Sequence, residues 1–202
     1  MRIKLAVGGN TMGNQGCSDV LVQDTAAKLF QTAALLMGNE DEAVSLVEET
    51  MAGAEVDPCA DGSQATIVLQ NQLVHAAIRE LSQRQPGSFA AAETGGGNAL
   101  CIDDDDLAAS GVSPAQLTEL LDGEGRSQLR DWLEHLPPAQ RAVFVERAML
   151  GQDNAATAQT LRTAGGETAA GWTPDKVSDV FRQALCSLAN SLAHSGSAAQ
   201  AV

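Results

Sequence analysis

The sequence predicts an all-α protein with two helical lobes joined by an acidic linker. Three observations support this prediction. Apolar residues recur at helical spacing over most of the chain, helix-capping residues stand at the ends of these periodic stretches, and no two stretches alternate as paired strands would. The chain has 202 residues, of which 44% are hydrophobic, so it is long enough to bury a sizeable core.

The first lobe is predicted over residues 19–84, after a flexible tail at residues 1–18. Its first helix ends at Gly38, a residue suited to a helix C-terminus. The second helix follows Asn39 and carries acidic residues in its first turn, where the helix dipole favours anions. The third begins near Ser63, a good N-cap. Five apolar residues mark its predicted buried face: Ile67, Val74, Ala77, Ile78 and Leu81.

An acidic, glycine-rich linker is predicted over residues 85–112, which include Gly95–Gly97 and Asp103–Asp106. The second lobe is predicted over residues 113–195, before a tail at 196–202. Four of its helices are bounded by caps, prolines or glycines and a fifth by periodicity alone. These helices are expected from Ser113, over 126–135, 139–150 and 154–162, and from Thr173.

Charge is distributed unevenly along the chain, whose formal net charge is −14. Residues 1–81 hold four basic and eleven acidic side chains, and residues 82–125 hold one and eight, so each stretch has a net charge of −7. Residues 126–202 hold seven of each and are neutral. The acidic excess argues against nucleic-acid or anionic-membrane binding by the whole surface, and any nucleic-acid contact is expected from the C-terminal lobe.

The sequence favours a cytoplasmic location. The apolar run after Met1 stops at Gly8, too early for the core of a secretory signal peptide. No stretch reaches the roughly 18 apolar residues of a membrane span. The four cysteines are about forty or more residues apart and lack metal-site spacing, so we expect four reduced thiols.

No motif predicts catalysis, a metal site or a cofactor. Gly8–Gly13 has the glycines of a phosphate loop, but Asn14 and Gln15 stand where Lys and Ser or Thr are needed. The three histidines are isolated and accompany no nucleophile motif. The aspartates 103–106 lack the spaced ligands of a calcium site, although they could imitate DNA phosphates and fold onto the C-terminal lobe. The sequence therefore predicts a non-enzyme.

Motifs in two parts of the chain occur in a familiar order. Leu136–Phe144 reads Leu-Pro-Pro-Ala-Gln-Arg-Ala-Val-Phe, and the segments Gly151–Leu161 and Thr173–Leu188 follow it. Earlier, Phe30–Met51 contains Met-Gly-Asn-Glu-Asp-Glu-Ala and Leu-Val-Glu-Glu-Thr, and Ile67–Arg84 comes next. These parts resemble the fourth and second regions of extracytoplasmic-function sigma factors, and together they cover roughly two thirds of the chain.

The resemblance implies a protein of transcription initiation that binds core RNA polymerase through its second region. In the family that region docks on a coiled coil of the polymerase, and the helix after it helps to open promoter DNA. An anti-sigma-type protein is a further partner that the resemblance implies, and no membrane partner is expected. The candidate polymerase-binding residues are Asp41, Glu42, Leu46, Val47, Glu49 and Thr50.

The resemblance also implies promoter contact by the C-terminal helix-turn-helix, with Arg162, Lys176 and Arg182 as candidate DNA-binding residues. Three departures weaken this function. The promoter-opening segment, residues 66–75, has no aromatic, Lys or Arg side chain for unstacked bases. The recognition helix reads Lys-Val-Ser-Asp-Val from Lys176, where the family has Thr-Val-Lys-Ser-Arg. The turn between the two helices, residues 162–172, is longer than the usual three or four residues. The alternative is a sigma-like protein–protein interaction module that does not bind DNA.

Overall fold

The computed structural model describes residues 15–54, 56, 62–91 and 126–199, and in these ranges the chain is helical with no strand. The predicted all-α class is confirmed for them. The described residues form seven α-helices, one π-helical turn and one 3₁₀ turn. In chain order they are α1 (Gln15–Met37), α2 (Glu40–Ala52), α3 (Gly62–Arg84), α4 (Arg126–His135), α5 (Pro138–Phe144), the π-helical turn (Val145–Met149), α6 (Asn154–Ala164), the 3₁₀ turn (Glu167–Gly171) and α7 (Pro174–Ala199).

The helix ends follow the capping residues closely. Asn39 accepts hydrogen bonds from the backbone N–H groups of Asp41 and Glu42, at 2.9 and 3.1 Å, and so begins α2. Thr173 accepts from the N–H of Lys176 at 3.3 Å and begins α7. The boundaries shift by a few residues elsewhere, since α3 begins at Gly62 and α6 continues to Ala164. Helix α1 starts inside the predicted tail 1–18, and α7 runs into the predicted tail 196–202.

Helices α1, α2 and α3 pack on one another. Their buried residues recur at the spacing that puts one face of a helix towards its neighbours. Among the side chains with almost no exposure are Leu29, Leu36, Leu73 and Ile78. The Oγ1 atoms of Thr25 and Thr66, 3.2 Å apart, join α1 to α3 beside this apolar contact.

Helices α4 to α7 form a second set of contacts, in which α7 touches α4, α5 and α6. The ring of Trp132 meets that of Phe144 edge-on, with centroids 5.0 Å apart, and its indole N–H donates to Ser187 at 3.0 Å. Val177, the residue that the resemblance places in the core of the recognition helix, is fully buried. These contacts account for the strongly periodic apolar face of α7.

The two sets of helices share a continuous cluster of buried apolar side chains. Helix α3 contacts α6, and α1 contacts both α4 and α5. The beginning of the predicted linker belongs to this cluster, because residues 85–91 form a turn in which Phe89 is fully buried. The rest of the linker and the helix expected from Ser113 lie outside the described residues, and so does the glycine-rich segment 8–13. The division into two domains stays a prediction.

Arg141 ties the two sets together. Its guanidinium donates to the carbonyl of Leu36 near the end of α1, at 3.1 Å, and to the carbonyls of Glu134 and Leu136 at the end of α4, at 3.0 and 3.2 Å. Helix α1 has no basic residue in its last turn, so Arg141 supplies the positive charge that favours a helix C-terminus. Burial lowers the pKa of Arg141 and the nearby charge of Glu134 opposes that shift.

Gly38 makes this contact possible. Its φ of +70° lies in the left-handed region, which a side chain disfavours. A Cβ atom at this position would also stand 2.8 Å from Nη1 of Arg141. Gly38, predicted from the sequence as a helix C-cap, therefore also leaves the space in which Arg141 reaches the end of α1.

The segment predicted as one helix over 139–150 is divided. After α5 the backbone widens into the π-helical turn, in which the N–H of Leu150 bonds to the carbonyl of Val145 at 3.1 Å and the N–H of Gln152 to that of Glu146 at 2.9 Å. Such single wide turns inside a helix are often found at functional sites. This one places Glu146 in the interior, where that residue is 2% exposed.

The expectation of four reduced thiols is wrong for Cys186, which is disulfide-bonded. This cysteine lies on α7 and is buried. The spacing of cysteines along the sequence did not indicate the bond, because a disulfide depends on proximity in the fold rather than on separation in the chain.

Candidate functional site

A groove of about 320 Å³ runs between α2 and α3. Exposed or half-buried acidic side chains line it on both sides. Among the described residues that line it, Arg84 alone is basic. The lining residues are Asp41, Glu42, Ser45, Leu46 and Glu49 of α2, with Glu80 and Arg84 of α3.

Arg84 is engaged by two of these carboxylates. It forms an ion pair with Glu42 at 2.7 Å and a second one with Glu80 on its own helix. The hydrogen bond to Glu42 raises the pKa of the guanidinium from its ordinary value. Since Asp41 and Glu49 are exposed and belong to no described ion pair, they give the groove its net negative charge.

The six candidate polymerase-binding residues divide into two groups in the structure. Asp41, Glu42 and Glu49 reach the groove. The other three are buried in the contact of α2 with its neighbours, and Thr50 donates its hydroxyl to the carbonyl of Leu46 at 2.8 Å. Leu46 is buried and also lines the groove. The exposed carboxylates are therefore available to a partner, whereas Val47 and Thr50 position the helix that carries them.

The candidate DNA-binding residues are separated and partly used within the fold. Arg162 donates to the carbonyl of Trp172 at 2.7 Å, which fastens α6 to the start of α7. Arg182 pairs with Asp179 at 3.4 Å on the same helix. Lys176 is half-buried in the first turn of α7. At 3.6 residues per turn, Lys176 and Arg182 point about 120° apart, so they do not form one basic face.

The turn between α6 and α7 is built into the core. Ser82 of α3 donates to the carbonyl of Gly165 at 2.7 Å, and the indole N–H of Trp172 donates to the carbonyl of Phe89 at 2.8 Å. A Cβ on Gly165 would lie 2.7 Å from that of Ala169, so the close approach requires glycine. Trp172 is 2% exposed, so its ring packs inside the fold and does not face solvent.

A second cavity, of about 310 Å³, lies between α3, the π-helical turn and α6. The buried carboxyl of Glu146 lines it, and neither carboxyl oxygen has a hydrogen-bond partner of ordinary geometry. Burial raises the pKa of Glu146 to about 8, while the hydroxyls of Thr157 and Thr160 act in the opposite direction. Burial, and to a lesser extent the charge of Arg79, lowers the pKa of His75 across the cavity.

Sequence reasoning missed Glu146, although the sequence contains a signal. This glutamate interrupts an apolar segment between Val145 and Ala148, where a helical period of 3.6 residues places it next to core positions. A charged residue within a buried face is the exception that calls for an explanation. A regular helix over residues 139–150 does not indicate that Glu146 points into the interior.

The described ranges contain neither a metal-binding cluster nor a membrane-spanning helix. No group of three or more His, Cys, Asp or Glu residues there is arranged to hold a metal ion. None of the helices described is both long and apolar enough to cross a bilayer. The acidic groove and the Glu146 cavity each bring several polar side chains of the described chain together.

Comparisons with models of protein families, with curated proteins and with solved structures give no match to this chain. The resemblance to sigma factors therefore rests on the residues of the two motif-bearing parts and on their order. The geometry of the groove and of the α6–α7 pair is a separate observation that bears on the two functions which the resemblance implies, polymerase docking and DNA binding.

Proposed function

We propose that the protein is a sigma-factor-like component of transcription initiation that docks on core RNA polymerase through the acidic groove between α2 and α3. The observation that carries the proposal is the position of Asp41 and Glu49, which are exposed on the lip of the groove while Leu46 and Val47 anchor the helix beneath them. A basic helical surface is the partner that such a groove fits.

Electrostatics supports a protein partner over DNA. Complementary charge steers association and fixes the orientation of two surfaces. The stretch that contains α2 and most of α3, residues 1–81, has a net charge of −7, whereas residues 126–202 are neutral. A phosphate backbone would be repelled by the first stretch, and on the second stretch Lys176 and Arg182 do not share one face of α7.

The experiment is size-exclusion chromatography of the protein with bacterial core RNA polymerase. A stoichiometric complex in low salt that dissociates near 1 M salt supports docking through ion pairs, because the Debye length then falls to about 3 Å. The absence of a complex in low salt contradicts the proposal. A complex that survives high salt unchanged shows that the acidic groove does not supply the binding free energy.

A second candidate function is a sigma-like interaction module that does not bind DNA. The internal bonds of Arg162 and Arg182 favour it, because both side chains would have to leave partners in the fold to reach phosphates. The two candidates differ in the salt dependence of promoter binding by the complex with polymerase. If Lys176 contacts a phosphate, Lys176→Ala should reduce the slope of the logarithm of the binding constant against the logarithm of the salt concentration by about one. An unchanged slope favours the interaction module.

A further inference from the structure

The cavity beside Glu146 lies between α3, the π-helical turn and α6 and is lined by a buried carboxyl group. Glu146 is 2% exposed, and both of its oxygens are without a hydrogen bond of ordinary geometry. Buried polar groups are almost always paired, because an unpaired one retains the full cost of losing water. The nearby hydroxyls of Thr157 and Thr160 act to lower the pKa of this carboxyl, but they form no hydrogen bond of good geometry to it.

The neighbouring cation does not fill this role. Arg147 stands on the same π-helical turn, but its Nη1 donates to the carbonyl of Gln152 and its guanidinium carbon lies 5.2 Å from the centre of the Phe181 ring. Arg79 on α3 is exposed and acts on the pKa of His75. Neither arginine is among the groups that shift the pKa of Glu146.

The remaining lining combines uncharged polar side chains with three apolar ones, those of Val74, Leu150 and Ala156. Asn71 of α3 and Gln159, Thr160 and Thr163 of α6 surround the cavity. His75 joins them, and its lowered pKa favours the neutral imidazole. The volume of about 310 Å³ is at the lower end of the range for small-molecule sites. These groups can donate or accept hydrogen bonds and so can orient a polar ligand.

The chemistry of the lining selects the charge of the ligand. An anion would face Glu146 with no cation to balance it. A divalent metal ion would need several oxygen ligands, and the described residues contain no cluster of three acidic, His or Cys side chains. A nitrogen cation with more than one N–H group satisfies both carboxyl oxygens and balances their charge.

We propose that this cavity is a binding site for a small organic cation, an amine, amidine or guanidine, with Glu146 as its counter-ion. The ligand lies between α3 and α6 and replaces the missing hydrogen bonds to the carboxylate. It joins helices from both motif-bearing parts of the chain. This site is separate from the α2–α3 groove, so the inference stands whether or not the protein docks on polymerase.

The probe pair is butylguanidinium and butylurea, which have similar shapes but differ in charge. Titration calorimetry near pH 7 is expected to show butylguanidinium binding at least about tenfold more tightly than butylurea, a difference of about 1.4 kcal/mol. Because Glu146 is protonated in the free protein at that pH, binding the cation should release close to one proton, measured by repeating the titration in two buffers of different ionisation enthalpy. Equal binding of the two probes, or no binding, overturns the proposal.

Two further measurements separate a counter-ion from a structural role. Glu146→Gln keeps the size of the side chain and should lose both the preference for the cation and the proton release, while Glu134→Gln, at an exposed position, should keep them. In the wild-type protein, carbon NMR of the Glu146 carboxyl should show its pKa falling by about two units or more when butylguanidinium is added, which is the fall that release of close to one proton near pH 7 requires. A cation preference retained in Glu146→Gln, or an unshifted carboxyl titration, contradicts the assignment.

Discussion

Charged side chains of the α2–α3 face extend into solvent, whereas two arginines of the α6–α7 helix pair bond within the fold. On the α2–α3 face, Asp41 and Glu49 extend into solvent from a helix whose other side is buried. In the α6–α7 pair, Arg162 and Arg182 bond to groups of the same pair of helices and their connection. The first region leaves charge available to a partner, and the second uses it to hold its own geometry.

A second contrast shows that burial alone does not distinguish structure from function. Arg141 and Glu146 lie five residues apart and are both buried. Arg141 donates to three carbonyl groups at helix ends, whereas the oxygens of Glu146 have no such partners. A buried charge that donates to several carbonyl groups is part of the scaffold. A buried acid without them is the more informative one for function.

The largest expected effect comes from Arg141→Ala. The change leaves three helix-end carbonyls without their donor, and we expect the free energy of unfolding to fall by about 3 to 5 kcal/mol. Arg130→Ala is the matched control, because Arg130 makes a partly exposed ion pair with Glu40 at 2.7 Å and should cost less than about 1 kcal/mol. Urea unfolding followed by circular dichroism measures both values. Equal losses in the two variants would mean that Arg141 is not the tie between the helix sets.

The next effect is a pH dependence that Glu146 imposes on stability. Its pKa is about 8 in the folded protein and 4.5 ordinarily, so between these values the folded state binds the additional proton. Stability should therefore fall as pH rises from about 4.5 to about 8, by at most about 1.4 kcal/mol per unit, and this contribution should stay constant above pH 8. Glu146→Gln removes the contribution.

The test is urea unfolding of the wild type and Glu146→Gln at pH 5.5, 6.5 and 7.5. Their difference isolates Glu146, because other titrating groups cancel. The variant should gain stability relative to the wild type at each step. A constant difference would show that the carboxyl titrates at its ordinary pKa and is not buried as described.

A smaller effect is expected from Trp172→Phe. The variant loses the indole N–H that donates to the carbonyl of Phe89 and leaves a buried acceptor unpaired, which should cost about 1 to 2 kcal/mol. Arg162→Met removes the neighbouring bond from an exposed side chain and should cost less. Thermal unfolding compares the two. A larger loss in Arg162→Met would mean that this arginine, rather than Trp172, holds the turn.

Features that depend on local sequence were predictable. Gly38, Asn39 and Thr173 mark helix ends through backbone conformation or capping, which need only nearby residues. The apolar periodicity of α7 predicted its buried face, including Val177. The acidic first turn of α2 was also predicted, and with it half of the groove.

Features that depend on distant residues were not predictable. Phe89 lies in a segment of linker composition, yet it is fully buried and its carbonyl accepts a hydrogen bond from Trp172, 83 residues away. Arg141 reaches the end of α1 across 105 residues of chain. The π-helical turn places Glu146 in the interior, and no capping residue in the sequence indicates such a turn. These contacts arise only when the helices meet.

The most direct test of the central claim is the affinity of core RNA polymerase for charge-reversed variants of α2. Asp41→Lys/Glu49→Lys changes the groove, whereas Glu48→Lys changes an exposed residue of the same helix outside it. Binding measured by surface-immobilised polymerase in low salt should weaken by at least about tenfold for the double variant and by less than about twofold for Glu48→Lys. Equal effects, or no effect of the double variant, would contradict docking through the α2–α3 groove.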